Sequence, residues 1–170
     1  MKQAPLQLID YCVTFIQVRA NLEFNSDKPV DLDAELIDLE SDVQPADQSL
    51  PEDAGTLWKV ALRIEQPLPQ REKRNIPYTY TLEMQGFVAV HPDFKGDRLE
   101  RAVQVNGPSM LFGCAREILR AATGRGPYAP ILIPSTNFLS RLPKANPPEI
   151  SVSPTEEPSH SSGDTDSADS

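Results

Sequence analysis

The stretch Asn106–Leu142, NGPSMLFGCAREILRAATGRGPYAPILIPSTNFLSRL, decides how this chain folds. Met110, Leu111, Cys114, Ala115, Ile118, Leu119 and Ala122 recur at helical spacing and mark one apolar face, with Arg116, Glu117 and Arg120 on the other side. Asn106 or Gly107 suits the cap, Pro108 suits the first turn because its φ is already helical, and Gly124 suits a left-handed stop. Beyond Gly126 the chain reads PYAPILIPST, whose three prolines remove the donors a central strand needs and also deny a helix. Tyr128, Ile131, Leu132 and Ile133 are nevertheless too apolar for an ordinary surface loop. A stiff apolar loop, followed by a short second helix over Asn137–Leu142, must lie against something. By alternation Leu132 points opposite to Ile131 and Ile133, so one set is expected buried and the other exposed.

Upstream, four strands are expected. Residues 6 to 24 place Ile9, Tyr11, Val13 and Phe15 on odd positions, then Ile16, Val18, Ala20, Leu22 and Phe24 on even ones. A strand buries only one phase on one face, so a β-bulge near Phe15–Ile16 is expected; a helical first half is the alternative. Residues 30 to 40 alternate Leu32, Ala34 and Leu36 with acids and read as a solvent-facing strand, and residues 41 to 55 as a surface connection. Trp58, Val60, Leu62 and Ile64 form a half-buried strand with Lys59, Arg63 and Glu65 outward. After a basic, Pro-rich turn at residues 66 to 75, Tyr78, Tyr80, Leu82, Met84, Val88 and Val90 share the phase of another, with Gly86 at a bulge or close approach. Leu99, Ala102 and Val103 fit a single turn before the helix. The fold class is α+β: a four-stranded antiparallel sheet, meander or Greek key, with one long and one short C-terminal helix. The helix's apolar stripe is wider than one small sheet covers, which favours association with a second copy.

The 170 residues suit one domain and a tail. The boundary falls at residues 144/145. Residues 145–170 hold six of the chain's 25 acids, no Lys or Arg, and only Ile150 and Val152 as large apolar residues. Two aliphatic side chains cannot offset a backbone ordering cost of about 1–2 kcal/mol per residue, so this acidic Ser/Pro-rich tail reads as disordered. A net charge of −9 argues against nucleic acid and anionic membranes as partners, and no apolar run reaches membrane-spanning length. The start MKQAPLQLIDYCVTF lacks the features of a secretory signal, and Cys12 and Cys114 read as free thiols of a reducing cytoplasm.

Little in the sequence suggests catalysis. His91 and His160 lack Cys or carboxylate neighbours at zinc spacing, and Asp93 and Asp97 near Gly96 do not match a calcium loop. Gly124-x-Gly126 ends a helix rather than opening one, so it cannot cradle a phosphate. Cys114 sits on the apolar stripe without an adjacent base. No enzyme, cofactor or metal is expected. Arg116 and Glu117 read either as a solvated pair or as residues of packing or assembly.

The order Pro108, Leu111-Phe112, Ala115-Arg116-Glu117, Arg125-Gly126, Tyr128 and Asn137-Phe138 resembles the C-terminal half of SecB-type export chaperones. The segment LQLIDYCVTFIQVRANLEF resembles that family's opening strand, while Gly113 and Cys114 stand where the family often has Pro-Tyr. The resemblance implies a SecB-like chaperone domain over residues 1–144, acting as an ATP-independent holdase for unfolded polypeptides before export. It implies a cytoplasmic homotetramer, a dimer of dimers, with Met110, Leu111, Cys114, Ile118 and Leu119 at the interface. It also implies a client groove involving Tyr128, Ile131, Leu132, Ile133, Phe138 and Leu139, and the SecA translocation motor as a further partner. Phe15, Arg19 and Thr81 stand where the family's acidic SecA patch is expected. A chaperone dedicated to one partner, such as an antitoxin, is therefore the alternative. An adaptor binding one folded partner by its sheet face is the rival from another class.

Overall fold

The computed structural model describes residues 4–31, 37–46, 55–67, 74–96 and 98–141. In order these form β1 (Leu6–Ala20), β2 (Asp38–Pro45), β3 (Thr56–Gln66), β4 (Tyr78–Val90), α1 (Arg98–Thr123) and a 3-10 turn, Phe138–Arg141. The strands make one antiparallel sheet in the order β1-β4-β3-β2. Consecutive hairpins join β2, β3 and β4, and β1 returns beside β4, which is a Greek key. The fold is the expected α+β arrangement, and the expected tail lies outside the described residues.

The centre of the sheet follows its sequence pattern closely. Tyr78, Tyr80, Leu82, Met84, Val88 and Val90 on β4, with Val60, Leu62 and Ile64 on β3, are at most 2% exposed. Lys59, Arg63 and Glu65 take the other phase, where Arg63 pairs with Glu40, Glu65 and Glu83. Gly86 lies beneath the Leu111 and Leu8 side chains.

The edges depart from expectation. β1 carries two bulges, at Ile9 and Thr14, rather than one near Phe15–Ile16. Leu6 and Leu8, then Tyr11 and Val13, then Ile16, Val18 and Ala20 therefore oppose the inward residues of β4 in turn. Phe15, expected with Tyr11 and Val13, lies opposite Glu83 on the outer face. Two insertions flip the phase twice, and a single-switch reading merges them. The acidic strand also lies later than residues 30–40: β2 begins at Asp38 and uses Leu39 and Val43 against Ile64 and Val60. Residues 32–36 of the expected strand lie outside the described ones. Pro45 is tolerated because β2 is an edge strand.

The helix starts at Arg98, so Leu99, Ala102 and Val103 form its first turns and Pro108 lies inside it. Interior proline costs about 3 kcal/mol through a lost N–H and a clash one turn back. The carbonyl this leaves without its helical donor is Gln104 O. The flanking Asn106 Nδ2 and Ser109 Oγ back-bond to their own i−4 carbonyls, Ala102 O at 2.8 Å and Val105 O at 2.7 Å, and do not replace that bond. Burial offsets the cost, because Gly107 brings the helix backbone onto β3. A Cβ at that position would sit 2.9 Å from Val60 Cγ2. The helix does not end on a left-handed Gly124. That residue still donates to Arg120 O at 2.9 Å, and Gly126 to Thr123 O at 3.0 Å, so the end tightens into shorter-range bonds.

Gly107→Ala is expected to lower stability by about 1–3 kcal/mol through overpacking against Val60. Gly113→Ala, where a Cβ meets nothing within 4 Å, should raise it by about 1 kcal/mol through helix propensity. Chemical denaturation of both variants checks the pair.

Candidate functional site: the lid over the end of the sheet

The segment after α1 is a lid secured by one phenol. Tyr78, the first residue of β4, points its hydroxyl under the helix end. That hydroxyl lies 3.1 Å from Thr123 O and 3.0 Å from Tyr128 O, its one proton serving either, and accepts the Tyr128 N–H at 3.0 Å. Gly126 permits the approach, since a Cβ there would fall 2.6 Å from the Tyr78 oxygen. Thr123, fully buried, donates Oγ1–H to Leu119 O at 2.7 Å and accepts the Ile131 N–H at 3.1 Å. Further along, Arg116 Nε donates to Ile133 O at 2.9 Å. Arg116 is thus a lid anchor, while Glu117 pairs with Arg120 at 3.7 Å on the exposed side.

The same lid reaches the β1–β2 connection. Tyr128 donates its hydroxyl to Asn21 O at 2.9 Å, and Phe24 packs edge-on against its ring at 4.8 Å between centroids. Asn75 ties that connection to the start of β4, donating from Nδ2 to Asn25 O, Lys28 O and Pro29 O. These polar latches carry no sequence periodicity, and reading apolar patterns missed Asn21, Asn75, Tyr78's second role and Thr123. A Thr at the last helical turn before a Pro-rich run is the one local signal that points to them.

The structure divides the groove residues expected from the sequence. Ile131, Ile133 and Phe138 are 5%, 1% and 3% exposed and belong to the protein's own core, with Phe138 edge-on to Phe112 at 5.8 Å. Burial alternates along the Pro-flanked loop, Ile131 and Ile133 inward and Leu132 outward, and the inward set packs into the core against the sheet. Those three cannot meet an external chain while the lid is shut. Leu132 and Leu139 are 53% and 51% exposed, and Tyr128 is half-buried. The expected interface residues divide likewise. Leu111 and Leu119 are fully buried against the sheet, whereas Met110, Cys114 and Ile118 are half-buried on the flank of the helix. A helix packed on a sheet buries the central part of its stripe, and only the flank reaches solvent.

Among the described residues, no three His, Cys, Asp or Glu side chains are grouped as a metal site requires, and no helix is long and apolar enough to cross a membrane. Tyr80, on the inward phase of β4, is 2% exposed and its hydroxyl has no hydrogen-bond partner among the described residues. Burial pushes its pKa well above the ordinary tyrosine value.

No protein-family model matches the chain, and no curated protein matches it. Among solved structures, the chain is similar to the Mycobacterium tuberculosis Rv1957 SecB-like chaperone in complex with a ChAD peptide from the Rv1956 HigA1 antitoxin. That match has a TM-score of 0.42 and 16% identity, covering 78% of this chain and 91% of that one. A protein of unknown function from Streptococcus agalactiae matches with a TM-score of 0.48 and 13% identity, over 76% of this chain and 97% of the other.

Two tyrosine variants should separate a latch from a passive ring. Tyr78→Phe leaves the Tyr128 N–H unsatisfied and should cost about 1–3 kcal/mol, with faster hydrogen exchange at the Tyr128 amide. Tyr80→Phe removes a hydroxyl that has no partner and should be neutral or stabilising. Tyr80 also sets a pH dependence. Because its folded pKa lies above the unfolded value of 10.0, its contribution is whole below pH 10 and is lost as pH rises further, where only the unfolded chain ionises. Alkaline unfolding of Tyr80→Phe should therefore be shallower than that of the unchanged protein.

Proposed function

We propose that this protein is an ATP-independent holdase that binds unfolded polypeptides, acts before their export, and works as a homo-oligomer in the cytoplasm. The observation that carries this reading is the distribution of exposed apolar side chains. Nine large ones stand at least 39% exposed among the described residues. Five lie on β1, and two, Leu132 and Leu139, lie on the lid and the turn that follows it. Such surface on a well-packed core fits a chain that receives apolar segments from others. The sequence resemblance to SecB-type chaperones supports the same reading.

In this mechanism an extended client exchanges water for contact with the outer side of the lid, chiefly Leu132 and Leu139, with Tyr128 beside them. Ile131, Ile133 and Phe138 hold the lid in place from beneath. The acidic chain draws in clients with basic segments, and repeated weak sites on one assembly give avidity. Release proceeds by competition, without covalent chemistry, cofactor or nucleotide. Self-association as a dimer of dimers would use Met110, Cys114 and Ile118, the helix residues left half-buried.

A second reading, a chaperone dedicated to one partner such as an antitoxin, is favoured by the outer sheet face. Phe15 there opposes Glu83, Arg19 opposes Thr79, and Thr81 opposes Gln17. The three positions expected in a SecA-binding acidic patch therefore hold an aromatic, a cation and a hydroxyl, and the neighbouring Glu65 and Glu83 are paired with Arg63. Retention of this protein by SecA at physiological salt would defeat that reading and support export.

The double variant Leu132→Asp, Leu139→Asp should lose at least about tenfold in affinity for a labelled polypeptide kept unfolded, the cost of removing two apolar contacts. Its oligomeric mass should be unchanged and its stability should shift by no more than about 0.5 kcal/mol, as for other surface changes. Equal affinity in variant and unchanged protein would move the client site away from the lid.

A further inference from the structure

Four consecutive residues, Asn75 to Tyr78, hold both segments that meet at Tyr128. Asn75 takes the β1–β2 connection. Its Nδ2 lies 2.8 Å from Asn25 O, 3.2 Å from Lys28 O and 3.0 Å from Pro29 O, two protons shared among three carbonyls. Its Oδ1 accepts the Asn25 N–H at 2.9 Å, its N–H donates to Asp31 Oδ2 at 2.9 Å, and its carbonyl accepts the Asp31 N–H at 3.1 Å. Ile76 O and Pro77 O take the start of the same connection, accepting from Asn21 Nδ2 and from the Asn21 N–H, each at 2.8 Å. Tyr78 takes the lid through its hydroxyl.

Neither held segment places itself. From Asn21 to Asp31 the connection contains no strand or helix. Its own bonds are short-range turns, Phe24 N–H to Asn21 O, Glu23 N–H to Asn21 Oδ1 and Asp27 N–H to Asn25 Oδ1, which bend the chain without seating it on the sheet. The seating comes from the Asn75 side chain, whose bonds to the connection span 46 to 50 residues of sequence. On the lid, Pro127, Pro130 and Pro134 have no N–H to give. Tyr128 is where the two segments touch. Its hydroxyl donates to Asn21 O, and its ring lies edge-on to Phe24 at 4.8 Å and to Tyr78 at 5.7 Å.

We propose that Asn75 is a positioning residue for the outer surface of the lid, acting through Phe24 and Tyr128. The proposal rests on the client reading above and adds to it the residue that sets how firmly the client surface is held. Among the described residues, the hydrogen bonds of Asn75 reach the connection and not the lid. Asn25, which Asn75 grips by both its N–H and its carbonyl, follows Phe24 directly, so the Phe24 ring is fixed where Tyr128 packs on it. Tyr128 in turn begins the run that presents Leu132. A surface already fixed binds an extended polypeptide without the ordering cost that a loose one incurs.

Hydrogen exchange on the free protein tests the positioning, and binding of a labelled unfolded polypeptide tests its consequence. Asn75→Ala should speed exchange of the Tyr128 and Ile131 amides about tenfold while leaving the middle of β4 unchanged, and should weaken client binding about threefold or more. Asn75→Asp, which keeps the shape and replaces the donor with an acceptor, should act in the same direction. Phe24→Ala should do likewise, and the two alanine changes together should cost little more than either alone, because they break one linkage. Faster exchange confined to the Asn25 and Asp31 amides would overturn the proposal, as would fully additive effects or tighter client binding. If the unchanged protein binds no unfolded polypeptide, the holdase reading falls, and exchange alone decides whether Asn75 positions the lid.

Discussion

One helix cannot cover a four-stranded sheet, and the rest of the molecule follows from that shortfall. A helix is about 10 Å across and neighbouring strands lie about 4.8 Å apart, so a single helix shields roughly two strands. The inward residues of β3 and β4 are almost fully excluded from solvent, whereas Tyr11, Val13 and Ile16 of β1 point to the same side and stay open. Gly107 sets the helix close against β3, at Val60. The lid then closes the end of the sheet that the helix leaves bare, with Ile131 and Ile133 filling the gap and the Tyr78 hydroxyl securing the turn.

Buried and exposed apolar residues therefore have distinct tasks within one segment. In the run Ile131-Leu132-Ile133, the outer two residues belong to the core and the middle one to the surface. Arg116 marks the same division on the helix, since it holds the lid backbone while its neighbour Glu117 faces water. A surface loop of this kind is rigid because its anchors are buried, and so it can present an apolar side chain without collapsing onto it.

The central strands were legible because their alternation is unbroken from Tyr78 to Val90 and from Trp58 to Ile64. The body of the long helix was legible for a similar reason, a periodic apolar stripe, but its start was not: the expected cap at Asn106 or Gly107 lies inside a helix that begins at Arg98. What escaped was local chemistry that breaks a period. Two bulges in β1 produce a pattern that looks like one phase change. Pro108 reads as a helix start because its cost is visible in the sequence, while the burial that offsets it is tertiary. The lid's alternation indicated that Leu132 opposes its neighbours, but its latches depend on single polar atoms of Thr123, Tyr78 and Asn21. Those come together only after the sheet has formed.

Hydrogen exchange across the whole chain, with and without an unfolded polypeptide, tests the central claim most directly. The account predicts that the latched amides of Tyr128 and Ile131 are protected already in the free protein, and that added polypeptide slows exchange around Leu132 and Leu139. Slowing confined to β1, while the lid stays unchanged, would contradict it.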